Sequence, residues 1–548
     1  MSGMMSSTVL DLPVSITRLI GTNYAPSEEE VCQIKEWVKK LNARLANGEL
    51  DPGAAEISSH LNAMLSLARR LPPEIVAMIF AFCCPPDKPS ESPVHALLRL
   101  GQICRAWRDV LCSTPHLWSS LVIHFPITAV YRAELVEKVL STIHTWLERS
   151  KPFPMSIVFI DLGRFPPNRI APIVDTLLIH SHRWKHISFY ISSECFPLLF
   201  NFTDSTLSSL ESLEIHDNLE HVPGQHSPAL RLRSAPRLKS LSFTTQRFTN
   251  DHITFCWKQL TELSLLYEPN HYRMPHHDGF LKVLKQCSNI KICSLGIGMP
   301  LGDDAIEPSK TITLHHLHTF RIRRLWQESI TGGFLDALIL PQLKILEIDS
   351  TAEFIWTAMS WHGGQFAPLL SRSGCQLETL SVTNVHFSEY ELLDCLLHTP
   401  SLKHLAYVPC PRWDSVFEIV HALTINAGST PTPRKINASF KNLESLRLGS
   451  GLGASSAFGI FARMVASRWS PFSRESGVSR LSRIALSYIV IPWGIPPSEI
   501  DIENFRKQLW DCAGDDSHFS ATVEVEQPYK PIYLQVPGHD VDFRTRFW

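Results

Sequence analysis

The chain has 548 residues, 44% of them hydrophobic and 19% charged, and its 51 Lys and Arg are balanced by 53 Asp and Glu. That near-neutral balance excludes a general polyanion binder. The densest basic tract, Arg321, Arg323 and Arg324, is short and interleaved with apolar residues, so nucleic acid is not an expected partner. A chain of this length suggests about three or four domains, or one long repeat array with something attached.

The 13 Cys are scattered from Cys32 to Cys512 without a C-x-x-C pair, which argues against a zinc ribbon and a secreted disulfide framework and for a reducing compartment. The opening stretch lacks a basic n-region and carries an early Asp11, unlike a secretory signal. The uncharged run from Phe354 to Ser371 contains His362, Gly363, Gly364 and Pro368, unlike a membrane span. A soluble protein of the cytoplasm or nucleus is expected, with no membrane partner. The sequons at Asn201 and Asn437 are then chance matches.

Residues 1–26 read as a flexible N-terminus. From 27 to 70 the spacing predicts a helical hairpin. Ser27 and Glu30 form a capping box ahead of an apolar stripe, Val31, Ile34, Val38, Leu41 and Leu45, and Gly48 sits where a C-cap belongs. Asp51-Pro52 restarts the chain as N-cap and first helical residue, and Ile57, Leu61, Met64, Leu65 and Ala68 form the second stripe. With barely two heptads in the first helix, the hairpin is expected to bury its own stripes rather than to form a dimerising coiled coil.

Next come a compact helix opened by Pro72-Pro73, a Pro-rich loop, and two more short helices whose Leu97, Leu98, Ile103, Trp107, Val110 and Leu111 are available for one core. The order of the anchors says more. Leu71-Pro72-Pro73-Glu74-Ile75, Ile79-Phe80, Ile103-Cys104-Arg105-Ala106-Trp107-Arg108 and Pro115-His116-Leu117-Trp118 resemble the F-box, here over 71–118. The arrangement is similar to the expanded F-box families of fungi, although the loop from Cys84 to Pro93 is long. The resemblance implies docking to the adaptor subunit of an SCF-type cullin-RING ubiquitin ligase, with Leu71, Pro72, Ile75 and Ile79 on the adaptor-binding surface and Trp107 and Trp118 in the core.

The remainder is repetitive. After residue 184 the pattern Leu-x-x-Leu-x-apolar occurs nine times, against about two or three expected by chance. A well-spaced series begins at Leu210, Leu238, Leu260, Leu343, Leu377, Leu402 and Leu443, and relaxed copies opened by Trp184, Ile290, Leu317 and Leu481 fill the gaps. One unit shows the mechanics. LETLSVTNV reads as a strand, Ser388 and Glu391 cap a helix, Thr399-Pro400 breaks it, and SLKHLAY opens the next strand. This resembles degenerate leucine-rich repeats over 119–486, with 487–548 as a C-terminal cap or tail. The fold class expected is α/β: hairpin and three-helix F-box, then a solenoid with a parallel strand ladder and helices on its convex side.

Alternation sends the residues flanking the second Leu of each copy to the open face of the ladder. Those residues are Glu214, Glu262, Thr319, Arg321, Glu347, Thr379, Ser381, His404, Ser445, Arg447 and Arg483, with a trend from acidic to basic along the series. Glu214, Glu262, Arg321, Glu347, His404, Arg447 and Arg483 are the candidates for contact with a target protein.

Other chemical signals have plainer readings. Gly449-Ser450-Gly451-Leu452-Gly453-Ala454 matches a dinucleotide-binding turn, but no acidic residue ends the next strand, so a repeat turn is expected. His315, His316 and His318 alternate in direction, His276-His277 with Asp278 caps a helix, and Asp303-Asp304 and Asp515-Asp516 read as solvated turns. No metal, no cofactor and no catalytic residue is expected. The function implied is a substrate-recognition subunit: the F-box docks to the adaptor and the repeats bind a target. The alternative is a repeat scaffold that binds the adaptor or other partners without promoting ubiquitin transfer.

Overall fold

The computed structural model describes residues 12–22, 24–47, 54–83, 93–125, 134–162, 165–199, 207–217, 230–231, 235–244, 253–266, 277–296, 311–323, 332–349, 366–385, 388–409, 416–425, 440–450, 454–469, 478–489, 499–513 and 519–526. The described residues fall in two compact units, one within residues 1–123 and 137–158, the other within 124–136 and 159–536. Among the described residues no helix is long and apolar enough to cross a membrane.

The first unit opens with α1 (Val14–Thr17), α2 (Glu28–Ala46) and α3 (Ala54–Met64). The capping box at the start of α2 is present: the amide of Ser27 donates to Glu30 Oε2 at 2.8 Å and the amide of Glu30 to Ser27 Oγ at 3.3 Å. Ile34, Leu41, Leu61 and Met64 bury their side chains in one cluster, so the hairpin closes on its own stripes. Residues 12–22 depart from the flexible N-terminus expected for 1–26. Ile16 and Leu19 complete the cluster, and Arg18 reaches Glu30 at 2.8 Å, because the two stripes alone leave apolar surface uncovered at one end. Gly48, Asp51 and Pro52, expected at the hairpin turn, and the side chain of Leu45 lie outside the described residues.

A short 3-10 turn, Leu67–Arg70, leads into α4 (Pro73–Cys83), α5 (Pro93–Leu100) and α6 (Arg105–Ser113). Val76, Phe80, Leu97, Trp107 and Leu111 meet in the middle, with the Phe80 and Trp107 rings edge to face at 5.4 Å. Gly101 leaves room for this packing, since a Cβ there would meet Leu111 Cδ2 at 2.7 Å. Trp118 is buried; its Nε1 donates to Leu111 O at 2.8 Å, and its ring packs against Trp146 of α7 (Glu134–Arg149) and under the Arg149 guanidinium. Both tryptophans are therefore core. Leu98 and Ile103, expected in that core, are exposed instead.

β1 (Ser120–Phe125) and β2 (Met155–Asp161) each run from the first unit into the second. The second unit also holds α8 (Pro167–Leu178) and a parallel ladder in chain order: β3 (Trp184–Ile191), β4 (Ser212–Asp217), β5 (Ser240–Thr244), β6 (Glu262–Leu266), β7 (Ile292–Gly296), β8 (Thr319–Arg323), β9 (Ile345–Asp349), β10 (Thr379–Val385), β11 (His404–Pro409), β12 (Ser445–Ser450), β13 (Arg483–Ile489) and β14 (Ser520–Glu526). Parallel neighbours require a crossover, and from β6 onward helices appear in these connections. They are α10 (His277–Leu284), α11 (Gly332–Asp336), α12 (Phe366–Ser373), α13 (Glu389–Leu397), α14 (Phe417–Leu423), α15 (Ala454–Trp469) and α16 (Glu499–Ala513), each packed on the next from α10 to α16; α9 (Phe196–Leu199) precedes them.

All eleven opening positions from Trp184 to Leu481 are buried, as are the residues three and five further on, and none of these side chains is more than 4% exposed. The alternation of strand side chains places the last two of each set on one face, under the helices. A second device links the units. The carbonyl of the residue before a strand accepts backbone N–H groups from the next unit: Lys239 O takes those of Thr261 and Glu262, Lys344 O those of Glu378 and Thr379, and Glu378 O those of Lys403 and His404. The capping box of α13 is also as expected, with the Glu391 amide on Ser388 Oγ at 3.3 Å. Glu389, in the first turn of the same helix, accepts the amides of Glu418 and Ile419 and so caps the start of α14.

One boundary moves. The ladder does not stop at 486: β13 runs to Ile489, and α16 and β14 add a further unit whose strand, SATVEVE, has alternation but no leucine signature. At the Gly-rich turn, Gly449 closes the strand approach, where a Cβ would lie 2.6 Å from Val408 Cγ1 and 2.9 Å from its Cα. Strand packing therefore accounts for this glycine without a nucleotide; Gly451 and Gly453 lie outside the described residues, as do Asn201, Asn437, His276 and the pairs Asp303-Asp304 and Asp515-Asp516. Buried thiols stud the stack: Cys195, Cys287 and Cys395 are pushed up to about 12, in each case chiefly by burial, and Cys293 and Cys375 are raised for the same reason.

Leu346→Asp should lower the unfolding midpoint of the second unit by an amount equivalent to several kcal/mol, because an unpaired charge would sit between neighbouring units. Chemical denaturation followed by circular dichroism checks this; an unchanged midpoint would contradict the stacking described.

Candidate functional site

In the first unit, α4 is apolar nearly all round, PEIVAMIFAFC, and it cannot bury every side. Val76 and Phe80 point into the core. Ile75 is 41% exposed, Met78 61% and Phe82 90%, a stripe at spacings of three and four along the opposite side. Pro72 and Pro73 start the helix: Pro72 O accepts the amides of Ile75 and Val76 at 3.0 and 3.1 Å, and neither proline leaves an unsatisfied N–H. Of the four positions assigned to docking, Pro72 and Ile75 are exposed, and Leu71 and Ile79 are half-buried at the edge of the stripe. Met78 and Phe82 belong to the same surface and were not singled out from the sequence. The signal was present in the lack of any polar face on the helix.

Residues 68–124 match the F-box-like family. The match covers α4 to α6 and the start of β1, and it extends three residues before and six beyond the span 71–118 expected from the anchors. No curated protein matches the chain.

In the second unit the ladder leaves one face to its polar residues, and the register aligns them in rows. The middle row reads Ser188, Glu214, Ser242, Ser264, Ser294, Arg321, Glu347, Ser381, Ala406, Arg447 and Ala485. The adjacent row carries Glu262, Thr319, Thr379, His404, Ser445 and Arg483. All eleven residues assigned to the open face thus lie in two neighbouring rows, although Thr319 is itself buried beside His318, whose Nδ1 is 3.0 Å from its Oγ1.

The charges that β8 and β9 bring to this face are paired. Arg321 Nε is 2.8 Å from Glu347 Oε2, Arg323 reaches the same oxygen at 3.0 Å and Asp349 Oδ2 at 3.2 Å, and Thr383 donates to Asp349 Oδ1 at 3.0 Å. Arg321 and Arg323 of the basic tract are therefore neutralised by the neighbouring strand, and Arg323 and Asp349 join the face two residues beyond the predicted pair. Arg324 lies outside the described residues. Towards the start of the ladder, Ser188 Oγ donates to Glu214 at 2.9 Å; burial first and Glu214 second push the Tyr190 hydroxyl well above the usual tyrosine range. Towards the end, Arg447 Nε donates to Ser487 Oγ at 2.9 Å. His315 and His316 are exposed in the turn before β8, with Leu317 buried between them and His318, and among the described residues no group of three or more His, Cys, Asp or Glu gathers as a metal site.

The two faces of α4 predict opposite outcomes. Phe80→Ala should cost about 3–5 kcal/mol, whereas Phe82→Ser should change stability by no more than about 0.5 kcal/mol. Urea unfolding of the two variants measures both.

Proposed function

We propose that this chain is a substrate-recognition subunit of an SCF-type cullin-RING ubiquitin ligase. The observation that carries the reading is the unburied stripe of α4, Ile75, Met78 and Phe82, within the F-box-like segment. It is an apolar helix face that its own unit leaves open, as expected of a helix that packs into a partner's groove. The partner would be the adaptor subunit, met by Leu71, Pro72, Ile75 and Ile79 together with Met78 and Phe82.

The ladder is read as a degenerate leucine-rich-repeat solenoid like those attached to F-boxes in the expanded fungal families. Three buried apolar positions per unit and a strand-and-helix alternation support this. Its open polar face would select the target. The chain would then be a scaffold rather than a catalyst, and would act by holding a target beside the charged ubiquitin-conjugating enzyme at high effective concentration. Work of this kind belongs in the cytoplasm or nucleus and needs no cofactor. In the alternative reading, a scaffold that binds the adaptor without ubiquitin transfer, deletion of the chain leaves target half-lives unchanged.

Adaptor co-purification is the test. Leu71→Ala with Pro72→Ala, and separately Met78→Glu with Phe82→Glu, should abolish capture of the adaptor while the far-ultraviolet dichroism and melting of the chain stay near wild type. Wild-type capture by both double variants would end the assignment.

A further inference from the structure

We infer that the strand-entry edge of the ladder over β5 to β7 is a docking strip for an acidic, extended peptide segment of the target. This deepens the reading of the ladder as the target-binding part and rests on it. Four cations line the edge: Arg237, Lys239, Lys258 and Lys291, all exposed. Backbone bonds fix their adjacency. Thr261 N donates to Lys239 O at 2.9 Å and Lys291 N to Thr261 O at 2.7 Å, so Lys239 and Lys291 stand two strands apart on consecutive rungs. The turns carrying the other two are tied to the same edge: Gln259 Nε2 donates to Ala235 O and Leu238 O on either side of Arg237, and Asn289 Nδ2 donates to Lys258 O at 2.9 Å.

Ion pairing sets this stretch apart from the rest of the edge. The lysines at the equivalent place further along, Lys344 and Lys403, both bind Glu378, at 3.3 and 3.2 Å, and they hold its carboxyl below the usual carboxylate range, Lys403 contributing most. At the other end Lys185 faces Glu211 at 4.0 Å. Among the described residues none of the four cations from Arg237 to Lys291 has an ion pair or a side-chain hydrogen bond. Exposed Glu262 is the one carboxylate between them on these strands. Among the described residues the strip therefore carries excess positive charge that no ion pair offsets, within a chain whose formal net charge is −2.

Geometry selects the occupant. Strands lie ~4.8 Å apart, so Lys239 and Lys291 are separated by about 10 Å, the rise of three extended residues at ~3.3 Å each. Carboxylates at positions i and i+3 of a peptide crossing the strands would meet both lysines, and such pairing sets specificity and encounter rate. A nucleic-acid strand would place phosphates closer together than these cations and, among the described residues, would find no exposed aromatic side chain between them on which to stack its bases.

The test uses the purified full chain and a fluorescein-labelled peptide of Glu-Glu-Ser repeats, with a Gln-Gln-Ser peptide and an oligothymidylate of equal charge for comparison. Anisotropy at low salt should show binding of the Glu peptide only. Lys239→Glu with Lys291→Glu should weaken it about tenfold, and Lys35→Glu with Lys39→Glu on the exposed side of α2, an identical change of net charge, should leave it unchanged. Absence of Glu-peptide binding, equal loss in both double variants, or tighter binding of the oligonucleotide would overturn the proposal. Adaptor capture measured on the same preparations separates this result from the docking of α4: its loss would sink that docking, not the strip.

Discussion

The carbonyl that precedes each strand is the joint on which the second unit depends. It accepts one or two amides from the following unit, and it lies between a buried opening side chain and the first strand residue. Because the next unit supplies those donors, a unit standing alone would expose both an unpaired carbonyl and three apolar side chains. The polar and apolar parts of the joint are also geometrically coupled. Slipping one strand by a residue would break the bonds and turn the buried pair outward in the same movement. One register therefore satisfies both requirements, and the polar rows of the open face inherit their alignment from it.

That inheritance explains which parts of the molecule could be read from the chain alone. Opening positions as different as Trp184, Ile290 and Leu481 were recognisable because each must be large and apolar and is followed at three and five residues by others of the kind. Capping boxes at Ser27 and Ser388 were legible because their chemistry is complete within four residues. The pairing of Arg321 and Arg323 with Glu347 and Asp349 was not, since it joins residues 24 and 26 apart whose encounter depends on register. The last strand was missed for a related reason. Among the described residues this strand pairs on one side only, and half-buried Ala521 and Val523 stand beside Ile484 and Leu486 of the preceding strand, so the repeat signature fades where the demand for burial fades.

In the first unit the difficulty was of the opposite kind. Periodicity marked α4 as a core helix, and half of it is one; Val76 and Phe80 would satisfy any small helical subdomain. Met78 and Phe82 match the same apolar pattern while standing exposed, and composition does not distinguish a residue buried within its own unit from one left open to solvent. Exposed Leu98 and Ile103 make the same point, since hydrophobicity alone would place each in the core. Only the packing of α4 to α6, with Phe80 and Trp107 edge to face, sorts the two populations.

The buried thiols give the stack an internal clock. Cys195, Cys287, Cys293, Cys375 and Cys395 are held protonated by their enclosure, whereas the thiolate is the form that reacts with an alkylating reagent. Each is therefore protected for as long as its neighbours remain stacked and becomes reactive when they part. Their positions, from the first strands of the ladder through its middle to α13, turn the order in which they are labelled into a record of where the array first separates, and of whether it opens from an end or at an inner seam.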